Sequence, residues 1–333
     1  MKRRKREAPC YWLAAMARGR VGDFAHGLPR LYTSADYGRR LPVRMSRPAT
    51  SPVRVGLVQM CTGRDVERNL RQASELIREA AGRGAQYVQT PEVTSLMEME
   101  RARLFAAVEA EAGNRAVGFF GELALELKIW LHIGSMPILL PDNKIANRSF
   151  LFAPNGTIVA RFDKIHMFDV ALPNGETYRE SKNYQAGSQG VLAQLPWGLL
   201  GLTVCYDLRF PQLYRALAKA GADFLAIPSA FTRPTGEAHW SVLIRARAIE
   251  NGCFVLAAAQ AGKHESGRET YGHSLIVSPW GEIVAESGVH TSVIVADLNC
   301  AEVTQARQRI PSLQHDRPFQ VAAVPMAETK LSS

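Results

Sequence analysis

Residues 198–230 read GLLGLTVCYDLRFPQLYRALAKAGADFLAIPSA, and the order of residue types in this stretch decides the fold class. The run 198–205 is short and apolar, as a buried strand is, and 223–230 is a second such run. Between them, 210–222 carries the apolar spacing of a helix behind a proline at its first turn. Two strands joined by a helix pair in parallel, because a parallel pair needs a crossover that a tight turn cannot supply. Cys205 ends the first strand, at the carboxyl edge where open α/β sheets receive ligands. The positive end of the following helix lies close by, which favours the reactive thiolate. Taken alone, a cysteine at a strand end is more often a small buried apolar residue.

The same alternation extends in both directions. Upstream, 53–60 (VRVGLVQM) reads as a buried strand, 65–84 as an amphipathic helix ended by Gly82 or Gly84, and 85–92 as a strand halted at Pro91. A long helix over about 100–128 leads to a strand at 130–139, and 147–166 reads as a hairpin turning at Asn155-Gly156. Downstream, a helix over 239–252 and a strand over 253–260 precede a second hairpin at Pro279-Trp280-Gly281. A strand near 291–297 and a helix near 300–309 close the pattern. The class is α/β with mixed sheets; alternation alone allows either one doubly wound sheet or two stacked sheets.

Of the 333 residues, 47% are hydrophobic and 21% charged, the composition of a globular protein with a large core. No apolar run reaches the roughly 18 residues of a membrane-spanning helix. The net charge of +9 raises a nucleic-acid role, but residues 1–52 hold twelve Lys/Arg against Glu7, Asp23 and Asp36, which accounts for all of it. The body is neutral by count, and it has neither a P-loop nor a G-x-G-x-x-G after a strand, so no nucleic-acid partner is expected. The leader MKRRKR lacks the apolar segment of a secretory signal. It reads as a disordered or mis-started extension, with an organelle address as the alternative. Cysteines at 10, 61, 205, 253 and 300 show no C-x-x-C and no pairing, which suits a reducing, cytoplasmic setting. The eight histidines show no metal-ligand spacing. The expected organisation is an extension over 1–52, one domain over 53–320 and a tail over 321–333.

Two further strand ends bear reactive side chains: Glu92 after TP, and Lys164 in DKIH at the exit of the first hairpin. Each alone is weak, since a strand-end carboxylate is commonly a cap and such a lysine commonly solvated. Together with Cys205 they form a set of nucleophile, base and cation.

On three motifs the chain resembles the nitrilase superfamily of carbon–nitrogen hydrolases. TPEVTS carries Glu92, RFDKIHMFD carries Lys164, and GLTVCYDLRFPQLYRALAKAGADFL carries Cys205. The stretches 228–264 and 271–287 resemble the Nit branch, and its deaminated glutathione amidase group more than its omega-amidase group.

The resemblance implies a four-layer α-β-β-α sandwich with two mixed sheets, a Glu–Lys–Cys triad, a homodimer or larger assembly, and no cofactor or metal. It implies that Glu92 is the general base, that Cys205 forms a thioester with a small amide substrate, and that Lys164 and the Tyr206 N–H stabilise the oxyanion. Glu180 in ETYRES stands where the family has a second glutamate. The implied reaction releases ammonia from a small carboxylate-bearing amide, deaminated glutathione foremost. The resemblance points to Arg209 and Thr235 for the substrate carboxylate, while Arg209 pairing with Asp207 is the bland alternative. Phe231, His239 and Trp240 fit either a pocket wall or an amphipathic helix start, and His166 and His273 read as structural. Omega-amidase, N-carbamoyl hydrolase and nitrilase activities remain open at this point, as does a catalytically idle scaffold.

Overall fold

A computed structural model describes residues 52–172 and 175–323, so the extension and the tail expected at the two ends lie almost entirely outside the described residues. The first strand, β1 (Val53–Gln59), is buried at every position but Arg54 because both of its faces are covered. Helix α1 (Val66–Gly82) starts where the Asp65 side chain accepts the Arg68 N–H, and it buries Leu70, Ala73, Ile77 and Ala80 at helical spacing. Strand β2 (Tyr87–Gln89) is shorter than the run 85–92, because the chain turns away at Thr90 to present Glu92.

The long helix expected over 100–128 is in fact two. Helix α2 (Arg101–Ala107) ends where β3 (Glu109–Ala110) joins a sheet, and α3 (Arg115–Leu127) starts afresh. Gly113 takes φ +79° and the Asn114 side chain caps the Val117 N–H, so local turn chemistry divides a segment whose propensity is otherwise helical. Strand β4 (Trp130–Leu139) then pairs with β5 (Ile145–Phe152), which turns through Gly156 at φ +80° into β6 (Ile158–Asp163). A short hairpin of β7 (Asp169–Ala171) and β8 (Thr177–Arg179) follows.

The second half begins with β9 (Val191–Leu195), β10 (Gly198–Leu202), α4 (Pro211–Lys219) and β11 (Phe224–Ala226). Helix α5 (Arg233–Asn251) starts six residues before the expected 239, because Pro234 is tolerated in a first helical turn, where its missing N–H has no partner to lose. Then come β12 (Phe254–Ala257), the hairpin of β13 (Ala261–Lys263) and β14 (Glu269–Tyr271), β15 (Leu275–Val277), β16 (Ile283–Glu286), β17 (Ser292–Leu298) and α6 (Ala301–Arg309).

One sheet runs β17-β1-β2-β4-β5-β6 with β3 beside β4, and the other runs β16-β15-β12-β11-β10-β9. Both are mixed: β1, β2 and β4 pair in parallel, as do β10, β11 and β12, with antiparallel strands outside them. Side-chain alternation sorts the core into layers. Val55, Leu57, Tyr87 and Leu151 from the first sheet meet Leu200, Leu202 and Phe224 from the second, while Val58, Val88 and Leu131 face α1 and α3 on the outside. Helices α4 and α5 cover the outer face of the second sheet through Tyr214, Leu217, Trp240 and Ile244. The four-layer sandwich follows, and the stacking brings the ends of β2, β6 and β10 to one place.

Candidate active site

Glu92 is positioned by an irregularity in β4. The β4–β5 register shifts between Ile133 and Met136, and the displaced backbone at Gly134 and Ser135 docks the loop after β2. The Gly134 N–H donates to Thr90 Oγ1 at 3.1 Å, and the Val93 N–H donates to Ser135 Oγ at 2.9 Å. Val93 sits at φ +54°, which turns the chain sharply just after Glu92. From the other sheet, Gln260 Nε2 donates to the Glu92 carbonyl at 2.9 Å.

Lys164 follows β6 and is almost wholly buried. Its Nζ donates to Glu92 Oε1 at 3.0 Å and to Glu180 Oε2 at 2.8 Å, so one ammonium is clamped between two carboxylates. Glu180 opens a single 3₁₀ turn after β8 and also accepts the Phe168 N–H at 2.6 Å. Asn147 on β5 ties the two acids together, its Nδ2 donating to Glu92 at 2.9 Å and to Glu180 at 3.2 Å. Burial pushes the Lys164 ammonium down, but the charges of Glu180, Glu92 and Cys205 outweigh it and hold the group well above the usual lysine range. Burial likewise pushes the Glu92 carboxyl up, and Lys164, Arg268 and hydrogen bonds from Cys205 and Lys164 together bring it below its ordinary value.

Cys205 begins a 3₁₀ turn over Cys205–Arg209 with φ +50°, a left-handed conformation that lifts it out of the strand direction. The turn is held from both sides. The Cys205 N–H donates to the Pro228 carbonyl at 2.9 Å, and the fully buried Asp207 carboxylate accepts the Val204 N–H at 2.9 Å and the His166 N–H at 3.0 Å. His166 Nδ1 lies 2.7 Å from the same carboxylate, and its ring stacks on Phe210. The Cys205 thiol lies near enough to the Glu92 carboxylate and the Ala230 backbone for both to influence its ionisation. Burial first, and Glu92 second, push this thiol far above the usual cysteine value, against Lys164 and Ala230. The thiolate bias expected from the helix end is thus opposed here by burial and by the neighbouring Glu92 carboxylate.

These groups line a cavity of about 400 Å³, within the range of small-molecule sites. Glu92, Lys164, Glu180, Cys205, Tyr206 and Thr235 all reach its wall, with Phe231 among the apolar lining. Arg209 does not: its guanidinium lies 5.7 Å from the Phe231 ring centroid and 3.2 Å from His239 Nδ1, while Asp207 is engaged by His166. Asn147 and Arg268 reach the cavity and were not singled out from the sequence. An asparagine mid-strand carries no motif, so Asn147 could not be found that way; Gly134 inside an apolar strand is the kind of residue that could have indicated the bulge, and it was not singled out either. Among the described residues, no group of three or more His, Cys, Asp or Glu side chains is arranged to hold a metal ion.

The carbon-nitrogen hydrolase family model matches residues 54–308. The chain belongs to the carbon-nitrogen hydrolase family. This carbon-nitrogen hydrolase is similar to the deaminated glutathione amidase of Yersinia enterocolitica, at 40% identity over 283 residues, 84% of this chain and 98% of the relative. Its fold matches the Caenorhabditis elegans NitFhit protein with a TM-score of 0.76 at 34% identity, over 81% of this chain and 66% of that one. It also matches a glutamate-to-glutamine mutant of the Nesterenkonia amidase, of the nitrilase superfamily, at 27% identity and a TM-score of 0.66, over 81% of this chain and 98% of that one. In that structure the acetamide moiety of fluoroacetamide is covalently added at the active-site cysteine.

Proposed function

We propose that this hydrolase cleaves deaminated glutathione through a thioester on Cys205. The observation that carries the reading is the clamp of Lys164 between Glu92 and Glu180 with Cys205 at the same cavity wall. The relatives' activity supplies the substrate.

Glu92 takes the thiol proton as Cys205 Sγ attacks the amide carbon, and the Lys164 ammonium stabilises the oxyanion. The Tyr206 N–H assists, being in the first turn of the 3₁₀ helix, where N–H groups lack intrahelical acceptors. Glu92 then returns its proton to the amide nitrogen, the C–N bond breaks, and an acyl thioester remains. Water, deprotonated by Glu92, attacks that thioester; Cys205 leaves as the thiolate and recovers the proton from Glu92. Glu180 holds the ammonium in place throughout, and no cofactor enters. The γ-amide nitrogen of deaminated glutathione carries cysteinylglycine, so this dipeptide is the amine that departs, with 2-oxoglutarate as the acid. The ammonia release expected from the resemblance therefore does not apply to this substrate; only a primary amide would release ammonia.

Self-association belongs to the same reading, supported by exposed Val242 and Ile249 on α5 near the Trp280 turn. The buried free thiols of Cys205, Cys253 and Cys300 fit a reducing, cytoplasmic setting. The decisive experiment compares turnover of deaminated glutathione, 2-oxoglutaramate, N-carbamoyl amino acids and nitriles, with intact mass to capture the acyl adduct. Preferred cleavage of deaminated glutathione with an adduct on Cys205 is expected; preference for a nitrile or carbamoyl compound would overturn the assignment.

A further inference from the structure

Arg268 stands in the turn between β13 and β14, and its side chain enters the cavity wall with Glu92, Cys205 and Thr235. Nη2 donates to the Ala230 carbonyl, and Cζ lies 5.3 Å from the Tyr178 ring centroid. Nε is buried with no acceptor, and among the described residues no carboxylate pairs with this guanidinium. Other arginines withdrawn from water do have one: Arg148 holds Asp163 and Glu111, Arg215 holds Asp316, and Arg247 holds Glu250. A guanidinium kept from solvent with spare donors is unfavourable until an anion meets it, and its planar fork matches a carboxylate.

The charge around it sharpens the point. Glu92, Lys164 and Glu180 together carry one net negative charge beside the nucleophile, because a single ammonium is shared by two carboxylates. That trio repels an anionic substrate, so an acid-bearing amide needs a cation elsewhere on the wall. Arg101, Arg179 and Lys182 line the same cavity from exposed positions and draw anions towards it, but Arg268 is the arginine set beside Glu92 and Cys205.

We propose that Arg268 binds the substrate carboxylate and makes this enzyme selective for anionic amides. The inference rests on the amidase reading above and replaces Arg209 as the residue for that role.

The test uses the full chain and two substrates of one skeleton, deaminated glutathione and its dimethyl ester. Because Arg268 also bears on the Glu92 carboxyl, the readout is the ratio of kcat/KM for acid over ester, not either rate alone. Arg268→Gln is expected to lower that ratio about 10²-fold, the usual scale for removing one partner of a desolvated charge pair. Arg268→Lys, which keeps the charge without the fork, falls between, and Arg209→Gln keeps the wild-type ratio. An unchanged ratio in both Arg268 variants, or its loss in Arg209→Gln instead, would overturn the assignment. A wild-type enzyme that cleaves neither substrate would instead refute the amidase reading itself.

Discussion

Gly134→Ala tests whether the β4 bulge sets the distance between base and nucleophile. A Cβ at this position would stand 2.2 Å from the Thr90 carbonyl oxygen, 2.5 Å from the Pro91 carbonyl oxygen and 2.4 Å from Pro228 Cβ. Thr90 and Pro91 lead directly into Glu92, and Pro228 accepts the Cys205 N–H, so the methyl group wedges between the two segments that carry the chemistry. None of the three is a flexible side-chain end, and restoring ordinary contact separates the segments by about 1 Å. A displacement of that size commonly costs about 10²-fold in rate. Overpacking a filled site also costs about 1–3 kcal/mol. The expected result is a kcat/KM about 10²-fold lower, a slower alkylation of Cys205, and a lower urea midpoint. Gly82→Ala is the control, because a Cβ there meets nothing within 4 Å. Wild-type kinetics and midpoint in Gly134→Ala would refute the positioning role of the bulge.

Other substitutions probe the clamp and its surroundings. Lys164→Ala leaves Glu92 and Glu180 buried without their cation; unfolding free energy should drop by about 3–5 kcal/mol and turnover by at least about 10²-fold, measured by urea titration and steady-state assay. Asp207→Ala strips the acceptor from the Val204 and His166 N–H groups, so thermal and chemical stability should fall by about 2–4 kcal/mol while the adduct on Cys205 forms more slowly; an unaltered melt would count against this account. The pH profile of kcat/KM should keep its acid limb below the ordinary carboxylate value near about 4.3, since Glu92 is held down, and Arg268→Gln should move that limb upward. Lys164, raised when folded, is charged up to and beyond its ordinary value, so it contributes no alkaline loss until above about pH 10. His132, buried between Tyr87 and Ser149, has its pKa lowered to about 3. Its neutral form is fully retained above its unfolded value, so stability should decline as pH falls from about 6.5 towards 4, and less so in His132→Gln.

Much of this was legible in the sequence because strand ends and turn residues are local signals. Cys205, Glu92 and Lys164 each stand at the end of a strand-like run, and Asn155-Gly156 and Trp280-Gly281 turn where such pairs turn elsewhere. The break between α2 and α3 was not, since helix propensity over 100–128 is strong and the competing force is pairing of Glu109 and Ala110 with a strand some thirty residues later. Arg268 was invisible for a related reason. What distinguishes it is a buried Nε without an acceptor at the cavity wall, and a missing partner is a property of three-dimensional neighbours. Arg209, near Cys205 in sequence, lies beside Phe231 and His239 and is not among the residues that line the cavity.

The burial of Cys205 has a consequence for survival in the cell. Peroxides and stray electrophiles consume exposed thiolates fastest, so a thiol that is only 6% exposed and whose ionisation burial opposes is spared most of that damage. Such an enzyme should outlast oxidative episodes that inactivate proteins with permanently ionised cysteines, and should lose that tolerance in any variant that opens the cavity to water.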